Sequence, residues 1–149
     1  MYDYIKDPTA IYAKSFETVR READIERFPA DLSNVVIRLI HACGMPAIAE
    51  DIAFTPNAVS AGRTALVSGA PIFADATMVA DGIIQRHLSG NDIVCTLDDD
   101  GVADDAKNQN TTRSAAAVDR WVPRLDGAIV AIGNAPTALF RLLELIDDG

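Results

Sequence analysis

Basic residues are scarce in this sequence of 149 residues. There are 13 Lys and Arg residues against 22 Asp and Glu residues, so the formal net charge is −9. Non-specific binding to nucleic acid needs a basic surface that displaces counterions from phosphates, and an anionic membrane surface attracts the same kind of surface. The charge balance therefore argues against both kinds of partner.

Cysteines and long apolar runs are scarce as well. Cys43 and Cys95 are the two cysteines, and no CxxC pair or Cys/His cluster predicts a metal site. Each lies in an apolar stretch, which predicts two buried, reduced thiols in a cytoplasmic protein. No apolar run approaches the roughly 20 residues of a membrane helix, and the polar start Met1–Tyr4 lacks the apolar run of a signal peptide. We expect a soluble protein.

The first half of the chain has the residue spacing of helices. Asp7 followed by Pro8 predicts a helix start with Asp7 as the cap. A second helix is predicted from Asp31, as its cap, to Gly44, and a third from Thr55 to near Gly69. Apolar residues recur along the first helix at Tyr12, Phe16, Val19 and Ala23. The second helix carries one apolar stripe, made of Leu32, Val35, Val36, Leu39, Ile40 and Cys43.

The second half alternates apolar strands with helices. Strands are predicted over residues 70–74, 93–97 and 128–132, and helices over 78–84, 112–125 and 137–146. This alternation indicates an α/β fold, a three-layer αβα-like parallel sheet with crossover helices that follows a helical N-terminal part. Residues 98–110 read as a long polar loop. The whole chain, 1–149, is predicted to form a single domain.

Asn34, Arg38 and His41 follow one another at i+4 and i+3 on the predicted second helix, opposite Leu32. This polar line has two interpretations, a solvated surface or a binding face, and Ile37 within it favours a covering group. His41 lies in the last turn, where the helix dipole stabilises a positive charge. A protonated imidazole is what a general acid requires. Beside Arg38 it suits an anionic ligand that accepts a proton.

Polar residues also follow the predicted strands. The turn Gly133–Thr137 joins a strand to a helix, where free backbone N–H groups bind anions in open α/β sheets. Arg113 in the first turn of a helix hints at an anionic partner, and simple capping by Thr112 is the other interpretation. Asp75 occupies a similar position and suits a cap equally well. His87, the other histidine, is predicted to lie on the surface.

Taken in order, several segments resemble the precorrin-8X methylmutase family of cobalamin biosynthesis. The resemblance covers nearly the whole chain, and the histidine motif and the last motif are its specific parts. The matching stretches are Tyr2–Ile5, Ala10–Tyr12, Ser15–Phe16, Ile40–Gly44, Gly69–Ile72, Asp75, Cys95–Leu97, Thr112–Ala117 and Val130–Leu139.

The resemblance implies an isomerase that moves a methyl group between neighbouring ring carbons of precorrin-8X, with hydrogenobyrinic acid as the product. It implies that His41 is the catalytic proton donor and that Ser15 and Arg38 bind substrate. It implies a homodimer with active sites at the subunit interface and no metal or organic cofactor. Family members continue past the last helix, so we expect this chain to lack a C-terminal segment of the family fold.

Further substrate-binding residues are predicted beside these. The substrate carries acetate and propionate carboxylates, for which Arg38 and Arg113 would supply positive charge within an acidic protein. The other predicted contacts are Asp75, Ser114, Asn134 and Thr137. Three alternatives stay open: a corrinoid-binding protein without turnover, a nucleotide-binding domain that uses the Gly133 turn, and the same methyl shift on a cobalt-containing precursor.

Overall fold

Helices dominate the fold in a computed structural model, which describes residues 2–148. Met1 and Gly149, the two ends of the chain, lie outside these residues. The helices are α1 (Pro8–Glu22), α2 (Ala30–Cys43), α3 (Ala58–Val67), α4 (Thr77–Gly82), α5 (Val102–Asn108), α6 (Arg113–Asp119) and α7 (Pro136–Asp147). The strands are β1 (Ile72–Ala74), β2 (Ile93–Val94) and β3 (Ile129–Ala131). Short 3₁₀ turns occupy Pro46–Asp51, Gln85–His87 and Val122–Arg124. None of the helices formed by residues 2–148 is long and apolar enough to cross a membrane.

The residues group into two compact units, an N-terminal unit up to Val59 and a C-terminal unit from Ser60 onward. In the N-terminal unit, the cap of α1 is confirmed, because the Asp7 carboxylate accepts a hydrogen bond from the Ala10 N–H at 2.7 Å. α2 ends as predicted at Gly44, whose φ of 70° is a left-handed conformation that glycine adopts without strain. The start of α1 and the end of α2 therefore lie where local sequence signals place them.

The buried face of α2 differs from the predicted stripe. Leu32, Val36 and Ile40 are buried, but so is Ile37, which has 2% exposure. Val35 and Leu39 are instead more than 40% exposed, and the thiol of Cys43 is exposed as well. The prediction of a buried Cys43 is therefore wrong, because apolar residues nearly surround this helix and their pattern does not select a face. Asp31 is also not the cap, since Pro29 occupies that position and Asp31 lies in the first turn.

A three-stranded parallel sheet organises the C-terminal unit and confirms the α/β prediction. The strand order is β2-β1-β3, with Phe73 in register with Val94 on one side and with Val130 on the other. Trp121 is fully buried and stacks on Phe73 with ring centroids 5.4 Å apart. Because all three strands run in one direction, their carboxyl ends share one edge of the sheet, and ligands of open α/β sheets bind at such edges. The polar residues that follow the strands lie there.

Two predictions for this unit are wrong in detail. The polar loop at residues 98–110 contains α5, which buries Val102 and Ala106 one turn apart. Two apolar residues among charged neighbours are too weak a pattern to predict a helix. The helix predicted over 112–125 ends at Asp119, and Val122, predicted to face inward, is 52% exposed. A 3₁₀ turn with Pro123 in its first positions follows, because proline does not continue an α-helix.

Candidate active site

His41 and Ser15 form the closest polar contact between α1 and α2. The Ser15 hydroxyl lies 2.7 Å from Nδ1 of His41, and both side chains are half-buried. A hydroxyl both donates and accepts, so this contact suits the neutral and the protonated imidazole alike. No residue in the described range 2–148 forms a hydrogen bond with Nε2 of His41. The arrangement leaves one ring nitrogen engaged and the other available for proton transfer.

Aromatic rings from α1 enclose the imidazole. The Tyr12 ring lies 5.2 Å from the His41 ring in a tilted arrangement, and the Phe16 ring lies 5.5 Å away, edge to face. Such distances are typical of favourable aromatic pairs. The Arg38 guanidinium lies over the same Phe16 ring at 5.6 Å, within the range of a cation–π contact. One phenyl ring therefore contacts both the histidine and the arginine of α2.

Arg38 has no carboxylate partner among residues 2–148, although several other arginines form ion pairs. Arg38 and Asn34 are exposed, whereas His41 turns towards α1 and is half-buried. The predicted polar line opposite the core is therefore correct for Arg38 and Asn34 and wrong for His41. An exposed guanidinium without an internal anion is available to a carboxylate ligand.

A cavity of about 390 Å³ opens between the same two helices. Ser15, Thr18 and His41 supply polar atoms to its lining, and Ile11, Val19 and Ile40 supply apolar surface. Its volume is at the small end of ligand pockets. A macrocycle of four linked rings is larger than this space, so the cavity fits one edge of such a ligand.

Asp75, at the carboxyl edge of the sheet, is bound to the backbone of the turn before α7. It is 2% exposed, and its carboxylate accepts hydrogen bonds from the backbone N–H groups of Gly133, Asn134 and Ala135 at 3.1, 3.0 and 2.6 Å. The sequence predicts that N–H groups of this turn bind an anionic ligand, but the Asp75 carboxylate already accepts their hydrogen bonds. Asp75 does not cap the helix that follows it either, since Ala76 occupies the N-cap of α4 and no side chain caps that helix. Its carboxylate instead holds the turn before α7, so the predicted contact between Asp75 and substrate is wrong.

The remaining predicted contacts lie where α6 and α7 begin. The hydroxyls of Thr112 and Thr137 lie 2.7 Å apart, so a direct hydrogen bond joins the two helix starts. Arg113 reaches Asp98 at 3.4 Å, and both side chains are more than half exposed. This ion pair contributes little to stability, and it leaves Arg113 accessible. Asn134 is exposed and Ser114 is half-buried.

The sequence patterns did not predict the surroundings of His41. Tyr12 and Phe16 were identified only as apolar residues at helical spacing, but they also contact His41. Tyr12, Ser15 and Phe16 stand at i, i+3 and i+4 on α1 and so share one face, which was the available signal. His87 is exposed, as predicted. Within residues 2–148, no group of three or more His, Cys, Asp or Glu side chains is placed to hold a metal ion.

Comparison with known proteins places this arrangement in a family. The profile of the family described as CbiC, precorrin-8X methylmutase, matches residues 10–149. A precorrin-8X methylmutase of Pseudomonas aeruginosa is 49% identical over 150 residues, which cover 100% of this chain and 72% of that protein. A cobalt-precorrin-8 methylmutase of Priestia megaterium is 36% identical over 95% of this chain and 64% of its own length.

A solved structure agrees with the sequence comparison. The crystal structure of a precorrin-8X methylmutase from Thermus thermophilus is 39% identical, with a TM-score of 0.82. The match covers 95% of this chain and 69% of that one. The profile match and these likenesses span both the helical unit that carries His41 and the unit built on the parallel sheet. The chain belongs to the precorrin-8X methylmutase family, whose members are isomerases of cobalamin biosynthesis.

Proposed function

We propose that this chain converts precorrin-8X to hydrogenobyrinic acid by a methyl shift within the corrin precursor, and that His41 donates the proton that promotes it. The observation that supports this most strongly is the state of the His41 ring. Nδ1 is bound to Ser15, the ring lines a cavity, and Nε2 has no partner within residues 2–148. A positioned proton donor beside an opening that fits one edge of the ligand is the arrangement that general acid catalysis requires.

The methyl shift itself makes modest demands on the protein. One bond between the methyl group and a ring carbon breaks while a bond to the neighbouring ring carbon forms, so no group leaves the substrate. Catalysis then consists of holding the ring system in position and supplying one proton. Arg38, whose exposed guanidinium has no carboxylate partner in the described part of the chain, is the proposed contact for a substrate carboxylate in the N-terminal unit.

Four residues of the C-terminal unit are proposed substrate contacts as well. Arg113, Ser114, Asn134 and Thr137 lie at the starts of α6 and α7 or in the turn before α7. The hydrogen bond between Thr112 and Thr137 holds these two helix starts together. Asp75 accepts a hydrogen bond from the Asn134 backbone N–H and so supports this group without being part of it.

A metal-free substrate is proposed over a cobalt-containing one. Support comes from the relatives, since the protein named precorrin-8X methylmutase is 49% identical to this chain over the aligned residues and the one named cobalt-precorrin-8 methylmutase is 36% identical. The second candidate function is therefore the same methyl shift on cobalt-precorrin-8.

The decisive experiment gives purified protein each substrate in turn and follows the absorption spectrum. We expect precorrin-8X to change to the spectrum of hydrogenobyrinic acid, and cobalt-precorrin-8 to react more slowly. Faster conversion of the cobalt compound would support the second candidate. A spectral change on binding without conversion of either compound would contradict the proposed activity and support a corrinoid-binding protein.

A homodimer is proposed from the exposed apolar face of α2. Val35, Leu39 and Cys43 follow one another at i+4 and form this face, and Val35 and Leu39 are 42% and 46% exposed. α2 also carries Arg38 and His41, so a partner bound to this face would lie beside the proposed active site. The cytoplasm is the proposed compartment.

Light scattering after gel filtration tests this dimer. Wild-type protein is expected at twice the monomer mass, and Leu39→Glu at the monomer mass, because a charge buried in an apolar interface is costly. Leu143→Glu is the matched control, since Leu143 is similarly exposed at 47% but lies on α7. A wild-type monomer at micromolar concentration would contradict the proposal.

A further inference from the structure

The contact between Ser15 and His41 suggests a role for Ser15 that differs from substrate binding. The 2.7 Å separation is that of a well-formed hydrogen bond, and it joins residues 26 positions apart in sequence. The resemblance to the family assigned Ser15 to the substrate. In the structure its hydroxyl is directed at the histidine ring, whose orientation it therefore influences.

Two kinds of contact hold the His41 ring, and they do different things. Tyr12 and Phe16 pack against it and fix the plane of the imidazole. Packing of this kind hardly distinguishes the ring from the same ring turned over, in which nitrogen and carbon atoms exchange places. A hydrogen bond to Nδ1 does distinguish them, because a ring carbon neither accepts nor donates in its place. Ser15 therefore selects which edge of the ring faces away from α1.

We propose that Ser15 is a positioning residue for His41, whose hydroxyl engages Nδ1 so that Nε2 is the atom that exchanges a proton with the substrate. This inference rests on the proposed function and refines it. It changes the role of Ser15 from a substrate contact to a partner of the proton donor, which is the usual arrangement of a catalytic histidine whose second nitrogen is held by a neighbour.

The proton balance determines which hydrogen bond is formed. Donation from a neutral imidazole would leave an anion, so the donor is the imidazolium, with a proton on each nitrogen. Its Nδ1–H donates to the Ser15 oxygen, and the Nε2 proton passes to the ring system of the substrate. The neutral imidazole then retains its proton on Nδ1, and Nε2 accepts a proton back after the methyl group has moved. No proton is consumed overall, as an isomerisation requires.

Steady-state kinetics of Ser15→Ala test the inference. We expect kcat to fall about 10- to 100-fold, because the ring is no longer held in register, while KM stays within about twofold since no substrate contact is lost. Ser15→Thr keeps a hydroxyl and should restore most of the lost kcat. Ser33→Ala is the matched control, a half-buried serine whose hydroxyl bonds only to the carbonyl groups of Phe28 and Pro29. A raised KM with unchanged kcat in Ser15→Ala would overturn the inference.

Nitrogen-15 NMR of the imidazoles tests the inference without substrate. The chain has two histidines, so His87→Ala leaves His41 as the only signal. We expect neutral His41 to carry its proton on Nδ1, and Ser15→Ala in this background to shift the population towards the Nε2–H form. An unchanged tautomer would overturn the role of Ser15, even if His41 proves essential for turnover. The expected NMR result in a protein that does not convert precorrin-8X would contradict the proposed function and leave the Ser15–His41 pairing standing.

Discussion

The two units of the chain treat their buried and half-buried polar groups in opposite ways. In the C-terminal unit, the Asp75 carboxylate accepts hydrogen bonds from three backbone N–H groups. The Thr96 hydroxyl accepts a hydrogen bond from the Trp121 indole and donates one to the Ala117 carbonyl. In the N-terminal unit, His41 has one nitrogen bonded to Ser15 and the other without a partner within residues 2–148. The polar groups of Asp75 and Thr96 make their hydrogen bonds within the protein, whereas His41 uses only one of its two ring nitrogens.

This difference separates stability from chemistry. A buried polar group whose hydrogen bonds are all made within the protein contributes to one defined structure, and its loss leaves other groups unsatisfied. A polar group with an unused donor or acceptor beside a cavity is available to a ligand. Changes at Asp75 or Thr96 should therefore lower the free energy of unfolding, and changes at His41 or Arg38 should lower binding or turnover.

The largest expected loss of stability follows removal of the Asp75 carboxylate. Asp75→Ala leaves three backbone N–H groups, of which that of Ala135 is buried, without their acceptor and should lower the free energy of unfolding by about 3 kcal/mol. Urea denaturation followed by circular dichroism measures it. Asp75→Asn keeps the shape and one acceptor oxygen, so a smaller loss is expected. A loss below about 1 kcal/mol for Asp75→Ala would show that the three hydrogen bonds to Asp75 matter little for stability.

The second expected effect is at Thr96, which is 6% exposed. Thr96→Val keeps the shape but leaves the indole N–H of Trp121 and the Ala117 carbonyl without this partner, at a cost of about 1–3 kcal/mol. The fluorescence of Trp121, the only tryptophan, reports the unfolding transition. Thr111→Val, at an exposed threonine, is the control and should stay within about 0.5 kcal/mol of wild type. Equal stabilities of the two variants would contradict the comparison.

The third expected effect is on ligand affinity and is carried by Arg38. Arg38→Gln removes a guanidinium that has no carboxylate partner within residues 2–148, so stability should hardly change while product binding weakens about tenfold, or about 1.4 kcal/mol. Absorption titration with hydrogenobyrinic acid measures the dissociation constant. Arg20→Gln makes the same change in net charge at an exposed arginine of α1 and serves as control. Similar weakening in both variants would assign the effect to overall charge.

The smallest expected effect is at Glu17, on the surface of α1. A hydrogen bond from Lys14 and its positive charge hold the pKa of the Glu17 carboxyl below the ordinary value of 4.5. Because the folded pKa is lowered, the pair stabilises the protein at neutral pH, and this contribution disappears as the pH falls through the folded pKa. Glu17→Gln should lower the urea midpoint of unfolding slightly at pH 7 and should leave it unchanged in stronger acid. A larger difference in acid than at pH 7 would contradict this assignment.

Signals that lie within a few residues of one another allowed much of the fold to be predicted. Asp7 before Pro8 set the start of α1, Gly44 set the end of α2, and the continuous apolar run before Gly133 set β3. The inward face of α2 was wrong because apolar residues nearly surround that helix, so Ile37 read as an interruption when it is core. α5 was missed because Val102 and Ala106 alone bury its face.

The site was predictable only in part, because its contacts join distant residues. The histidine motif identified His41, but its hydrogen-bonding partner lies 26 residues earlier on another helix. Asp75 accepts from residues 58 to 60 positions away, which no local pattern reveals. A residue that follows a strand is a candidate ligand and a candidate N-cap alike, and Asp75 is neither, because its carboxylate binds the backbone of a distant turn.

The most direct test compares wild-type protein with His41→Ala in a single turnover of precorrin-8X, followed by its absorption spectrum. Because one ring nitrogen of His41 is available to the substrate, we expect His41→Ala still to bind the substrate while the rate of conversion falls by a factor of about 10² to 10⁴. His87→Ala removes the other, exposed histidine and should convert at the wild-type rate. Conversion by His41→Ala at a rate near that of wild type would contradict the assignment of the chemistry to the N-terminal unit.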